Sequence, residues 1–267
     1  NGSLRAAAIR PDRIVMAFTV GDQKKMVSPF KISYLVLIVN FKGQLLNAIR
    51  LVDHAESILD LDIAEDGSIW ALVCGQPNRK PEENPLFIRF SADGKQKEIA
   101  AYREILPDFP MSGKVGHGSV VNSFGVTNSQ VYYWAPELDE LITLDIQQKK
   151  AARKKVQFKT EYDNSGQVLS PVVYRALMNS KGGMLYGLYY FPKALLRNCP
   201  AGDATKKALI MESQGKQTGN LWAGKEELAR FLLVGVDGNR FIFISYANKS
   251  TPGQFTPFDL IVDDFSD

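Results

Sequence analysis

Short apolar runs alternate with polar turns from one end of the chain to the other, and their β-branched and aromatic content is that of strands. One helical turn or two is expected, at residues 224–230. Tight polar turns recur at Pro11-Asp12, Asp66-Gly67, Asn128-Ser129, Lys181-Gly182 and Asp237-Gly238, roughly 53 to 62 residues apart. That interval suits a four-stranded module with variable loops. The clearest module has strands at 58–64, 68–73, 86–90 and 97–100, with turns at Asp66-Gly67 and Asp93-Gly94. Both are expected to be type I′, in which Gly takes positive φ freely and Asp tolerates it.

The same pattern lies on the rest of the chain. A first module takes 4–9, 14–18, 34–39 and 45–51, with Lys42-Gly43 as its outer turn. A third takes 121–126, 131–134, 141–146 and 154–158, with Gln147-Gln148 where the other outer turns have Gly. A fourth takes 172–178, 184–190, 208–212 and 220–223. A fifth takes 231–236, 241–246 and 258–262 and lacks an outermost strand. Runs such as Leu35-Val36-Leu37-Ile38-Val39 are apolar on both faces and need cover on both sides. Radially packed neighbouring sheets supply it and protect most edges. The expected fold is therefore all-β, a β-propeller of four-stranded antiparallel blades, five recognisable and six possible, in one domain over residues 1–267. Each module's first strand is innermost, and Trp70, Leu72, Phe87, Phe90, Trp134, Leu185 and Phe243 should be buried between blades.

Residues Ile58-Leu-Asp-Leu-Asp-Ile-Ala-Glu-Asp-Gly-Ser-Ile-Trp-Ala-Leu72, followed by Pro85-Leu-Phe-Ile-Arg-Phe-Ser-Ala-Asp-Gly94, resemble a blade of the six-bladed bacterial propellers, NHL-like and TolB-like in the broad sense. The resemblance covers about one blade. It implies an architecture shared by binding modules, lactonases and peptidase-associated domains, so no single function comes with it. It also implies a ring closed by pairing N- and C-terminal strands, for which residues 1–3 are too short; a trimmed chain or an incomplete last blade is expected, and Asn1 in place of Met agrees with a mature or trimmed chain. Two cysteines, Cys74 and Cys199, allow one disulfide or two thiols and fit no metal spacing. The compartment stays open, with the resemblance favouring an extracytoplasmic site, periplasmic or secreted.

Composition narrows the function classes. Hydrophobic residues make up 45% and charged residues 23%, ordinary for a folded soluble domain. A formal charge of +3 gives no ground for nucleic acid or an anionic membrane as a partner of the whole surface. The longest apolar stretch, Tyr34 to Val39, is far short of the roughly 20 residues of a membrane span. No cofactor is expected.

In a radial meander the long connections, here 21–31, 52–57, 75–85, 102–119, 159–171, 191–207 and 247–257, share one rim, and such loops carry function. The candidate binding rim comprises His54, Glu56, Tyr102, His117 and Tyr162: a charge, two imidazoles and two aromatic anchors. Two histidines without a third ligand favour loop spacers over metal or catalysis, and Gly116-His117-Gly118-Ser119 lacks the G-x-S-x-G nucleophile pattern. Asp60, Asp62, Glu65 and Asp66 form the densest acidic cluster, but their spacing is not that of a calcium loop. The lactonase-like resemblance would make Asp60 and Asp62 metal candidates, although strand alternation and an Asp-Gly turn explain all four. The basic run from Lys149 to Lys155 reads as a guarded edge strand rather than an anion site. Tyr132, Tyr133, Trp134, Tyr186, Tyr189, Tyr190 and Phe191 read as inter-blade packing rather than a sugar platform. The function expected is a non-enzymatic binding or interaction module presenting its long-loop face to a protein or small ligand; the alternative is a channel-centred, metal-dependent lactonase-like hydrolase.

Overall fold

A computed structural model describes residues 2–20, 33–51, 57–74, 79–106, 124–127, 130–135, 140–156, 160–162, 164–178, 184–192, 205–211, 217–224, 231–237, 240–246 and 258–264. These form five antiparallel sheets, each an up-and-down meander. The first has β1 (Gly2–Arg10), β2 (Arg13–Val20), β3 (Ser33–Val39) and β4 (Leu45–Leu51). The second has β5 (Ser57–Ile63), β6 (Ile69–Cys74), β7 (Pro85–Phe90) and β8 (Lys97–Tyr102), and the third β9 (Phe124–Val126), β10 (Gln130–Ala135), β11 (Glu140–Asp145) and β12 (Lys150–Lys155). In the fourth, β13 (Glu161–Tyr162) precedes β14 (Val168–Met178), β15 (Met184–Pro192), β16 (Thr205–Met211) and β17 (Gln217–Gly224). The fifth has β18 (Phe231–Asp237), β19 (Arg240–Tyr246) and β20 (Phe258–Asp264). The fold is all-β, of propeller-type antiparallel sheets. Among the described residues the helical elements are two short 3-10 turns, Pro81–Glu83 and Arg103–Ile105.

The fourth sheet thus carries a fifth strand that the periodicity did not anticipate, because two residues are too short to show alternation. The outer strand of the third sheet is Lys150–Lys155 rather than 154–158. Of the expected helical turn, Gly224 ends β17 and the remainder lies outside the described residues.

The tight turns are not type I′. In the turn from Asn40 to Gln44, the Asn40 N–H donates to the Gln44 carbonyl at 3.0 Å and the Gly43 N–H to that of Asn40 at 2.9 Å. The turn from Ala64 to Ser68 repeats both bonds at 2.9 Å. These are three-residue loops with a left-handed glycine last, Gly43 at φ +75 and Gly67 at φ +81. Asp66 serves by its side chain instead, its Oδ1 accepting from the Ser68 N–H at 2.9 Å and the Ser68 hydroxyl at 2.6 Å. The third sheet makes its outer turn without glycine: Lys149 adopts φ +50, and Asp145 Oδ1 holds the Gln148 N–H at 2.8 Å.

By contacts the chain divides into two compact units, Asn1–Tyr132 with Thr143–Ala152, and Tyr133–Ile142 with Arg153–Asp267. In the first unit β1 packs on β5 and β5 on β9, so the innermost strands of three consecutive sheets are neighbours. Small residues on the first sheet (Ala6, Ala8, Val15, Ala17) join Val36 and Ile38 in one buried cluster with Leu61, Ile63, Ala71, Ile88 and Phe90 of the second. The other face of the second sheet carries Trp70, Leu72 and Phe87, all buried, with the Phe87 ring 5.3 Å from that of Phe124 on β9. Both faces of the second sheet are thus covered, whereas on β3 of the first sheet Tyr34, Val36 and Ile38 are buried and Leu35, Leu37 and Val39 are half-buried. Trp70, Leu72, Phe87 and Phe90 are buried as expected; the side chains of Trp134, Leu185 and Phe243 lie outside the described set.

In the second unit β14 pairs with β15 from Leu169 to Met178, and β19 lies between β18 and β20. One device recurs in both units. Strands β1, β5, β14 and β18 each skip a residue against the next strand, between Leu4 and Ala6, Ile58 and Asp60, Val173 and Arg175, and Leu233 and Gly235. A bulge increases the local twist of the strand that carries it.

Candidate functional site

The inner strand β5 divides its side chains between two environments. Ile58, Leu61 and Ile63 enter the cluster shared with the first sheet, while Asp60 and Asp62 alternate with them and are 1% and 9% exposed. Carboxylates so buried require hydrogen bonds. Asp60 Oδ1 accepts the Leu61 N–H at 2.9 Å, and Asp62 Oδ2 accepts the Val126 N–H of β9 at 2.8 Å. Across the other side of β5, Arg10 at the end of β1 donates through Nε to the Ile63 carbonyl at 2.8 Å and through Nη2 to the same oxygen. Charged side chains therefore tie β1 to β5 and β5 to β9, each bond of a kind worth about 1.5–3 kcal/mol. Two carboxylates at i and i+2 offer oxygen donors for a cation, but Oδ2 of Asp62 is taken by the neighbouring strand. No group of three or more His, Cys, Asp and Glu side chains suited to a metal occurs among the described residues.

Glu65 and Asp66 belong to a different setting, the exposed turn. Arg89 donates to Asp66 Oδ2 at 2.7 Å and to Glu98 Oε1 at 3.3 Å, with its guanidinium 5.8 Å from the Trp70 ring centroid. Partial burial pushes the Asp66 carboxyl up, but hydrogen bonds from Ser68 and the Arg89 charge outweigh it and hold the group below the usual carboxylate range. The acidic cluster of the sequence is thus a buried pair on a strand and an exposed pair in a turn.

Of the rim residues expected from the sequence, His54, Glu56 and His117 lie outside the described residues. Tyr102 is not in a loop: it ends β8, opposite Pro85, half-buried and leading into the 3-10 turn Arg103–Ile105. Tyr162 likewise lies on β13 opposite Val168, and it is 61% exposed. Tyr102 belongs to the first unit and Tyr162 to the second. Beside Tyr102, buried Arg103 donates its backbone N–H to the carbonyl of buried Asn84 at 2.9 Å. That polar pair was not legible in the sequence, where a lone Arg before Glu reads as surface. The basic run is an outermost strand exposed along its whole length, in keeping with an edge kept from pairing.

No family model matches the sequence, and no curated protein matches it. Solved structures similar to this chain include the major allergen Mala s 1 of Malassezia sympodialis, with 9% identity over 92% of this chain and 72% of that one, at a TM-score of 0.47. A luciferin-regenerating enzyme is 8% identical over 94% and 86%, at 0.42. Regucalcin, a calcium-binding protein of Agrobacterium tumefaciens, is 10% identical over 94% and 70%, at 0.39. At these scores the assignment of an all-β fold of propeller-type sheets stands on the strand order and pairing described above.

Proposed function

We propose that this chain is a non-enzymatic interaction module, a single propeller domain of the broad NHL-like and TolB-like kind, that presents its long-loop rim to a protein or small ligand. The observation that carries the reading is the use of the inner-strand carboxylate: Asp62, one of the two acids considered for a metal, accepts the Val126 N–H through Oδ2 and joins two sheets. His54, Glu56, Tyr102 and His117 are the contact residues proposed for the first unit, and exposed Tyr162 for the second. An extracytoplasmic, bacterial setting belongs to the same proposal.

The alternative, a metal-dependent lactonase-like hydrolase, retains Asp60 as a buried oxygen donor. Metal analysis of the purified protein, joined to a panel of lactones and phosphoesters, separates the two. The interaction reading expects neither stoichiometric metal nor turnover. Stoichiometric calcium or zinc with turnover, abolished in Asp60→Asn, would establish the hydrolase instead.

A further inference from the structure

Of the three outer strands whose side chains are described, β12 is exposed at every residue, whereas β4 buries Leu51 and β8 buries Ala101. Its residues alternate between the two faces of the sheet, with Lys150, Ala152 and Lys154 on one and Ala151, Arg153 and Lys155 on the other. Neither face is covered. Among the described residues no strand lies beyond it. A strand in that position presents main-chain N–H and C=O groups along its free edge without a ladder partner. The strand is nevertheless held at both ends. In the turn that precedes it Asp145 Oδ1 accepts the Gln148 N–H at 2.8 Å and Lys149 takes φ +50, and Val156, which follows it, is buried. An edge already fixed in extended form costs a partner less in ordering.

Charge decides what can pair there. Lys149, Lys150, Arg153, Lys154 and Lys155 are five cations in seven residues, and the chain has no acid between Asp145 and Glu161. Arg153 pairs with Glu140 at 3.4 Å, while among the described residues no ion pair reaches the four lysines. A second copy of β12 laid on this edge would bring two basic runs together, and like charges directly opposite destabilise a ladder. A neutral strand would gain no cross-strand charge pair. An acidic strand meets lysine on either face, Lys150 and Lys154 on one and Lys155 on the other. Ala151 and Ala152 between them offer no aromatic surface on which bases could stack. Nucleic acid would therefore gain only from its charge, whereas a peptide gains the main-chain ladder as well.

We propose that the free edge of β12 takes an extended acidic segment of a partner protein as an added strand. The lysines that keep neutral strands and other copies off the edge select this one, so the guard against aggregation also sets the specificity. The contact uses the outer edge of the third sheet and none of the rim residues proposed above.

Fluorescence anisotropy at low salt with a labelled, end-capped nonapeptide of Glu and Val tests it. Two controls run beside it, the same peptide with Gln for Glu and the same peptide N-methylated at successive central amides, which blocks both of its edges. The acidic peptide should bind, less tightly as salt rises, and slow hydrogen exchange in residues 150–155. Both controls should bind much more weakly. Lys150→Gln with Lys154→Gln should weaken binding by about two- to thirtyfold, as loss of two cross-strand charge pairs requires. Both side chains are exposed, and a urea midpoint near that of the wild type establishes that the variant is folded. Failure of the acidic peptide to bind, or equal binding by the folded lysine variant, overturns the proposal. Equal binding of the N-methylated peptide overturns it too, by reducing the contact to charge alone. So does tighter binding of heparin or single-stranded DNA without exchange protection of β12 by the peptide, which would make the strand a general polyanion surface.

Discussion

Gly94→Ala should be among the most damaging single-methyl changes in the first unit, and the structure says why. Gly94 has φ +72, where an L side chain is strained by roughly 1–2 kcal/mol. A Cβ there would also lie 2.7 Å from Ile49 Cδ1, 3.0 Å from Ile38 Cδ1 and 3.1 Å from Asn47 Nδ2. All three belong to the first sheet, whereas Gly94 is in a turn of the second. Ile38 is buried and cannot simply swing away, and Asn47 is held by its bond to the Asp93 carbonyl. Overpacking of this kind adds roughly 1–3 kcal/mol. Gly43 is the internal control: its φ is +75, yet nothing lies within 4 Å of an added Cβ. Urea unfolding should therefore show Gly43→Ala losing about 1–2 kcal/mol and Gly94→Ala about 2–5 kcal/mol. Equal losses in the two variants would mean that the second sheet does not press its turn against the first, and the packing of the two sheets would have to be redrawn.

Lys149→Gly should stabilise by about 0.5–1 kcal/mol, since Gly relieves the strain at φ +50 at some cost in unfolded-state entropy; a lower urea midpoint would count against that turn geometry. Phe87→Ala should cost about 3–5 kcal/mol, because the ring is fully buried against Phe124, and a neutral denaturant titration would contradict that contact. For Asp66 the folded carboxyl is held below its ordinary range, so its contribution is present above the unfolded value and lost as pH falls through the folded one. Urea midpoints across acid pH should accordingly fall less steeply for Asp66→Asn than for the wild type, and parallel curves would refute the assignment. Asp62→Ala should destabilise by roughly 1.5–3 kcal/mol through loss of the bond to the Val126 N–H, with Asp62→Asn restoring part as an oxygen acceptor; equal effects of the two in thermal unfolding would remove that bond from the account.

What the sequence made legible depended on how many residues carried each signal. Strand after strand could be read because apolar runs bounded by polar turns repeat, and β5 to β8 emerged close to their observed bounds. The two-residue strand Glu161–Tyr162 carried no period, so Tyr162 read as loop. Turn geometry failed for a subtler reason. Asp-Gly is compatible with type I′, but a third loop residue, Glu65 in one turn and Phe41 in another, converts the hairpin to a three-residue loop with the glycine last. Composition cannot distinguish these, because both forms need the same left-handed glycine.

The buried carboxylates show where function and architecture compete for the same signal. Asp60 and Asp62 stand out in the sequence because acids inside an apolar strand are costly, and a metal site is one way to meet that cost. A backbone N–H on the adjacent inner strand is another, and it is the one observed for Asp62. Arg10, which carried no such signal, does the same work from the opposite direction at the Ile63 carbonyl. Inner strands of neighbouring sheets share no ladder here, and at Ile63 and Val126 a side chain from the adjacent strand bonds the main-chain group instead. A charged residue on an inner strand of this kind of sheet is thus first a candidate joint between blades, and it becomes a candidate ligand only once its oxygens or nitrogens are shown to point elsewhere.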